Sequence, residues 1–272
     1  MSYQCPLCQQ PLALDERSYR CSNNHQFDKA KEGYVNLMPV QHKRSKDPGD
    51  NKEMMQARRT FLAHDFYAPM RDKVADTLRS SLTVTKGNIL DIGCGEGYYT
   101  SYFADELTGD NTEFAVYGLD ISKVAVRYGS KRYDKVNFCV ASSHKLPFSG
   151  ESLAAVIRIY APCKHEELRR CIEADGLMIT VTPGSHHLYE LRELIYQDVR
   201  LHDEAAEVIE GFDLVSEAKL DYTMNLNGQQ AYDLLQMTPF AWKASQELRE
   251  KLEQTERFDC RADFMVRVYR KG

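Results

Sequence analysis

No apolar run in the 272 residues approaches the ~20 that a membrane-spanning helix needs, so a helical membrane protein is excluded. The opening Met1-Ser2-Tyr3-Gln4-Cys5 lacks the basic-then-apolar order of a secretory signal, and the expectation is a cytoplasmic protein. Internal repeats and low-complexity tracts are missing, which removes solenoids and extended disordered tails. So is any excess of positive charge: 40 acidic against 35 basic side chains leave −5, so an RNA contact has to rest on local charge. Disulfides are not expected, because the eight cysteines of a cytoplasmic chain serve as metal ligands or small buried hydrophobes. What remains is a globular chain long enough for one large α/β domain and a small appendage.

That domain is organised around Asn88-Ile89-Leu90-Asp91-Ile92-Gly93-Cys94-Gly95-Glu96-Gly97-Tyr98. Apolar positions around an acid read as a short buried parallel strand, and the glycines force a tight turn into a helix. Without a Cβ, such a turn lets backbone N–H groups and a helix N-terminus approach a nucleotide-like ligand. A dinucleotide fingerprint wants its third glycine one residue later, where Tyr98 stands. The pattern Asp-x-Gly-x-Gly-x-Gly resembles instead the first motif of the class I S-adenosylmethionine methyltransferases. Asp91, Gly93, Gly95, Gly97 and Tyr98 are therefore candidate cofactor residues.

Residues 1–40 read as a separate unit outside that core. Cys5-Pro6-Leu7-Cys8 is a C-x2-C knuckle, and twelve residues later Cys21-Ser22-Asn23-Asn24-His25 supplies a C-x3-H. Two such pairs joined by a short hairpin close a tetrahedral Zn²⁺ site. Four protein ligands leave no open position, so the zinc is structural, and it supplies much of the folding free energy of so small a segment. Residues 41–51 form a linker whose Pro48-Gly49 marks a loop and whose Lys43, Arg44 and Lys46 offer either a solvated face or phosphate contacts, with Arg58-Arg59 following.

Residues 52–272 form the methyltransferase domain. Helical spacing from Lys52 to Ser81 gives two helices jointed near Tyr67. Strands are expected near 88–92, 114–119, 136–141, 153–159 and 177–182, with helices near 97–107, 122–132, 164–172 and 186–199. This alternation predicts an α/β, doubly wound, Rossmann-like fold whose mostly parallel sheet carries helices on both faces. Two long strands at 212–225 and 257–269 bring the sheet to seven, with a helical insertion through Met237-Thr238-Pro239-Phe240-Ala241-Trp242 between them.

Asp120 ends the second strand 23 residues after Gly97, where an acid accepts hydrogen bonds from ribose hydroxyls; the competing reading is a helix N-cap, which Ser122 can also supply. In Ser142-Ser143-His144-Lys145-Leu146-Pro147-Phe148, Ser142 and Ser143 stand where methyltransferases commonly carry an acid near the adenine, and Ser142 is the candidate for that contact. Tyr160 ends the fourth strand, on the rim where an open α/β sheet binds its ligand, and is a candidate for stacking on the methyl acceptor or for ordinary packing. Phe240 and Trp242 are further stacking candidates. The group that takes the acceptor's proton is not identifiable.

Taken together, Cys5, Cys8, Cys21 and His25, the segment Phe27 to Leu37, Gln41-His42-Lys43-Arg44-Ser45, the glycine motif, Arg158-Ile159-Tyr160-Ala161-Pro162-Cys163 and the Met237–Trp242 segment resemble the bacterial 23S rRNA (guanine-N1)-methyltransferases. The resemblance implies a homodimer whose zinc modules grip an RNA hairpin in domain II of 23S rRNA, and it implies that Tyr67 and His187 contact S-adenosylmethionine. It implies N1 methylation of guanine 745, with the neighbouring guanine 748 as the alternative target. A small-molecule methyltransferase is the alternative from another substrate class.

Overall fold

The computed structural model describes residues 3–39, 51–108 and 113–272. The basic linker with Lys43, Arg44 and Lys46 lies outside the described residues, apart from Asn51, whose side chain caps the first helix by accepting the Met54 N–H at 2.8 Å. No helix among the described residues is long and apolar enough to cross a membrane.

The N-terminal module is a three-stranded antiparallel sheet of β1 (Ala13–Asp15), β2 (Ser18–Arg20) and β3 (Gln26–Asp28), followed by the short β4 (Val35–Asn36). Helices α1 (Lys52–Leu62) and α2 (Ala68–Ser81) then lead into β5 (Lys86–Ile92), α3 (Tyr98–Glu106), β6 (Glu113–Asp120), α4 (Lys123–Arg132) and β7 (Val136–Val140). After β8 (Leu153–Ile159) come α5 (His165–Cys171), β9 (Ile172–Pro183) and the one-turn α6 (Tyr189–Glu193). The chain closes with β10 (Phe212–Leu226), α7 (Gly228–Gln236), a 3-10 turn at Pro239–Lys243, α8 (Gln246–Glu253) and β11 (Phe258–Lys271). The helix expected over 186–199 is confined to its first half; residues 197–209 run without regular structure.

The main sheet has the order β10-β11-β9-β8-β5-β6-β7-β4, parallel from β9 to β4 and antiparallel at β10 and β11. Seven of these strands are the expected ones. The eighth, β4, comes from the zinc module: Val35 and Asn36 pair with Cys139 and Val140. The order reverses at β5, with β6 on one side and β8 on the other, so the switch-point crevice opens at the carboxyl end of β5.

Successive residues of β5 point to opposite faces. Ile89 joins a core formed with Phe61, Met70, Val74 and Leu78 of α1 and α2, and Leu90 and Ile92 join a second core on the other face. That second core contains Tyr3, Leu12 and Tyr19 of the N-terminal module beside Tyr117, Phe148, Leu168 and Met178. The module therefore does not stand outside the Rossmann-like core. The connection from β7 to β8 contains no helix, and the module covers the sheet face that this crossover leaves bare. Tyr3, 1% exposed, packs its ring 5.3 to 5.6 Å from those of Tyr19, Tyr117 and Phe148, and the Gln4 N–H donates to the Pro147 carbonyl at 2.9 Å. Aromatic pairs of this kind contribute about 0.5–1.5 kcal/mol each beyond their buried area, whereas a structural zinc binds with about 10–16 kcal/mol. The metal thus folds the module, and the rings dock it.

Because docking and folding are coupled through one core, stripping the metal has a global consequence. Chelation should lower the melting temperature of the whole molecule as seen by calorimetry, beyond unravelling residues 3–37. A main transition that keeps its midpoint after complete zinc removal would contradict the shared core.

Candidate active site and metal centre

The metal ligands converge. Cys5, Cys8, Cys21 and His25 offer atoms all within 4.8 Å of one another. The Cys5 Sγ and Cys21 Sγ lie 3.4 and 3.5 Å from His25 Nδ1, and Cys8 Sγ lies 3.6 Å from Cys21 Sγ. A tetrahedron with Zn–S near 2.3 Å and Zn–N near 2.0–2.1 Å has edges of roughly 3.5–3.8 Å, so three thiolates and one imidazole fit zinc in geometry and softness. Both knuckles turn tightly: Gln9 N–H donates to the Cys5 carbonyl and Asn24 N–H to the Cys21 carbonyl, with Gln9 and Asn24 at φ 62° and 59°. Asparagine tolerates that left-handed conformation readily.

At the end of β5 the chain turns through Gly93, Gly95 and Gly97, at φ 74°, 55° and 82°. A Cβ on Gly93 would sit 2.8 Å from that of Ala161, and one on Gly97 2.6 Å from the Phe138 ring, so packing alone requires glycine at both. Gly95 is different: a Cβ there would meet nothing within 4 Å. Its backbone faces open space at the switch point, the approach that a nucleotide cofactor needs.

Asp120 closes the loop from β6. Its Oδ2 accepts the Gly95 N–H at 2.9 Å and its Oδ1 accepts the Ser122 N–H at 2.7 Å. Ser122, accepting from Ala125 N–H at 3.3 Å, is the N-cap of α4, so the capping explanation for Asp120 does not hold. A carboxylate has about four acceptor positions, which leaves Asp120 capacity for ribose hydroxyls. Asp91 is buried below the loop and accepts the Thr100 hydroxyl at 2.6 Å. Burial pushes its carboxyl up to about 7 against that hydrogen bond, and the nearby Asp120 charge adds to the rise. The loop's Glu96 is held by Arg59 through paired hydrogen bonds of 2.6 and 2.7 Å, so Arg59 is engaged within the protein.

On the β8–β9 side, Tyr67, His187, Phe264 and Tyr160 form an aromatic wall. His187 lies 4.8 Å from Phe264 and 5.9 Å from Tyr160 between ring centroids, and Tyr67 lies 5.2 Å from Phe264 and 6.2 Å from His187. His187 Nδ1 accepts the Asp263 N–H at 3.2 Å, so the imidazole proton sits on Nε2, which faces the Tyr160 hydroxyl at 3.4 Å. Burial drives the His187 imidazole down to about 3, keeping it neutral. Tyr160 is 44% exposed and sits at φ 56°. That conformation is costly for a bulky residue, on the order of 1–3 kcal/mol, and is typical of functional rims.

The remaining candidates are dispersed. The Tyr98 hydroxyl donates to Asp65 at 2.7 Å and accepts from Arg71 at 3.0 Å, against the joint between α1 and α2. Ser142 Oγ accepts the His144 N–H at 3.2 Å in the turn after β7. Phe240 packs edge-on to Tyr196 at 6.3 Å, while Trp242 is 77% exposed and so cannot be a core residue. Among the described residues no ring contact joins either to Tyr160. Sequence reasoning missed Thr100, Phe264 and the Arg59–Glu96 pair. Phe264 had a signal, its place in the apolar Phe264-Met265-Val266 run of a long strand, but Thr100 and Arg59 had none.

Two consequences are measurable. Gly95→Val forces a β-branched residue into a left-handed position and fills the open space, and Asp120→Ala removes the ribose acceptor. Both should weaken S-adenosylmethionine binding, the aspartate change by about 1–3 kcal/mol; unaltered calorimetric affinity in both would misplace the pocket. For Asp91, the folded value near 7 lies above the unfolded 3.8, so the native state holds the extra proton between them. The stability so contributed is full below pH about 4 and lost as pH rises through about 7. Asp91→Asn keeps an acceptor for Thr100 and should gain stability relative to the parent between pH 5 and pH 8 in the cofactor-free protein. Denaturant midpoints that differ equally at both pH values would refute this.

Comparison with known proteins converges on the same two parts. The zinc-ribbon family described as "RlmA, N-terminal" matches residues 3–46, and the family described as "Methyltransferase domain" matches residues 89–174. The 23S rRNA (guanine(748)-N(1))-methyltransferase of Streptomyces fradiae is 31% identical over 245 residues, covering 88% of this chain and 85% of that protein. A Bacillus subtilis (strain 168) protein provisionally named 23S rRNA (guanine-N(1)-)-methyltransferase YxjB is 28% identical over 276 residues, covering 98% of this chain and 96% of its own. Among solved structures, a geranyl diphosphate methyltransferase in complex with SAM superposes with a TM-score of 0.50 at 14% identity, over 84% of this chain and 93% of that one; this likeness shows the fold alone. A zinc ribbon of this type, a methyltransferase-domain match that spans the glycine loop and identity across most of both chains together decide the matter: the chain belongs to the 23S rRNA (guanine-N1)-methyltransferase family.

Proposed function

We propose that this protein works as a cytoplasmic homodimer that methylates guanine N1 in a domain II hairpin of 23S rRNA, at guanine 745. The observation that carries N1 methylation of 23S rRNA is the 31% identity over 88% of this chain and 85% of a relative named for that reaction, while guanine 745 rests on the sequence resemblance. The same relative is named for guanine 748, which makes that neighbouring nucleotide the second reading.

The chemistry suits the site. S-adenosylmethionine supplies a methyl on a sulfonium, and the transfer depends mainly on alignment and proximity. In this reading the Gly93–Gly97 backbone and Asp120 hold the cofactor at the switch point. Tyr67 and His187 face it from the β9 side, with Ser142 near the base. Reaching N1 requires the guanine to leave its pairing and stack, and flipped bases are held on aromatic surfaces. Tyr160, half-exposed on the rim, and Trp242, fully available to a partner, are the residues assigned to that contact.

The test combines labelled S-adenosylmethionine with hairpin transcripts carrying adenine at 745 or at 748. Loss of incorporation with the first identifies guanine 745, loss with the second identifies guanine 748, and a methyl on any atom other than guanine N1 ends the reading. On the protein side, Tyr160→Ala should weaken RNA engagement by about 1–3 kcal/mol, the size of a base–aromatic stack, with Tyr160→Phe restoring most of it. Activity loss that merely follows a lowered melting temperature would remove Tyr160 from the site.

A further inference from the structure

The ten residues of α4, Lys-Val-Ala-Val-Arg-Tyr-Gly-Ser-Lys-Arg, contain four basic side chains and no acid, in a chain whose acids outnumber its bases by 40 to 35. Ala125, Val126 and Gly129 form the buried stripe. The opposite stripe is exposed and carries Lys123, Val124, Arg127, Tyr128 and Lys131, which line a shallow cavity of about 220 Å³. Val124 is 47% and Tyr128 44% exposed, so apolar and aromatic surface is interleaved with cations. Nucleic-acid surfaces combine backbone-tracking cations with planar groups in this way.

Position strengthens the assignment. At one edge, Arg127 Nε donates to Glu32 of the zinc module at 2.8 Å, where a tight turn also exposes Lys31. At the other, α4 lies directly on the cofactor loop: a Cβ on Gly129 would sit 2.9 Å from the Glu96 carbonyl oxygen. The guanidinium of Arg59, bound to Glu96, lies 4.5 Å from the centre of the Tyr128 ring. The face is thus a continuous bridge from the metal module to the loop that holds the cofactor.

We infer that this exposed face of α4 docks the phosphate backbone of the RNA substrate as it passes from the zinc module to the crevice. The inference rests on the rRNA-methyltransferase reading and adds to it a surface that neither the zinc ligands nor the cofactor loop supplies. Lys123 and Lys131 contact phosphates, Arg127 joins the surface to the module, and Tyr128 offers its edge to the sugar-base side of the strand.

The experiment uses the full-length, zinc-loaded protein and a domain II hairpin transcript. Lys123→Gln/Lys131→Gln leaves the Arg127–Glu32 pair intact. Its slope of log K against log KCl should be shallower than the parent's by about 1.4–1.8, at about 0.7–0.9 per phosphate contact. KM for the transcript should rise several-fold, with kcat and S-adenosylmethionine affinity unchanged. Lys73→Gln/Lys86→Gln, exposed lysines within α2 and at the amino end of β5, should leave the slope as it was. A parental slope in the α4 variant overturns the proposal, and so does an equal loss in the control pair. If the α4 variant keeps its slope but changes its sedimentation from dimer to monomer, the face belongs to a second copy of the chain, and the RNA assignment falls. Failure of the parent protein to methylate any transcript would defeat the rRNA reading separately, since the slopes are measured without turnover.

Discussion

One hydrogen bond ties the cofactor end of the molecule together: the Asp120 carboxylate at the end of β6 accepting the Gly95 N–H from the turn after β5. It joins the carboxyl end of β6 to the turn after β5 and holds the one glycine of the loop whose backbone opens onto free space. Its second oxygen, on the Ser122 N–H, fixes where α4 begins. The loop is then braced from outside, by Arg59 on Glu96 and by the close packing of Gly129 beneath the Glu96 carbonyl. Each of these contacts depends on the turn taking left-handed φ values three times in five residues, which side chains would resist.

The zinc module is an instance of one structural problem solved by an unrelated device. A parallel sheet buries both faces, usually under crossover helices. The β7–β8 crossover here has none, and Tyr3, Leu12 and Tyr19 of the module occupy that face, with β4 extending the sheet edge. A segment of this size cannot form that apolar surface unaided, and the metal makes it rigid enough to be buried. The module is thereby placed beside the carboxyl end of β7 and against α4, on the side of the sheet where the ligand crevice opens.

The two sides of the crevice differ in polarity. Asp120 and the buried Asp91 stand on the β5–β6 side, where the N–H groups of Gly93, Gly95 and Gly97 are bonded within the protein, while Tyr67, His187, Phe264 and Tyr160 cluster on the β8–β9 side. His187 is polar by composition but is held neutral by burial and oriented by the Asp263 N–H. It therefore belongs to the apolar wall, with its Nε2 proton turned toward the Tyr160 hydroxyl.

The local features were legible because they are set by short-range chemistry. The C-x2-C and C-x3-H spacings name four ligands, the glycines name a turn, and the period of apolar residues names strands and helices; none requires knowing what lies opposite. That the sheet is mostly parallel, with a ligand expected beyond the carboxyl ends of its strands, followed from rules of connection. What the sequence could not reveal was each pairing across space: Arg59 with Glu96, Thr100 with Asp91, Asp263 N–H with His187, Tyr3 with Tyr117 and Phe148. Arg59 looked like part of a basic surface and is an internal brace; the zinc module looked like an appendage, and Tyr3, Leu12, Tyr19 and Leu37 of it share the core of the sheet. By itself the sequence determined the cluster of three cysteines and a histidine, the glycine turn and the fold class. Only the tertiary structure decided that the module completes the sheet and that α4 presents its cations between module and loop, because burial and charge pairing depend on distances that no spacing along the chain encodes.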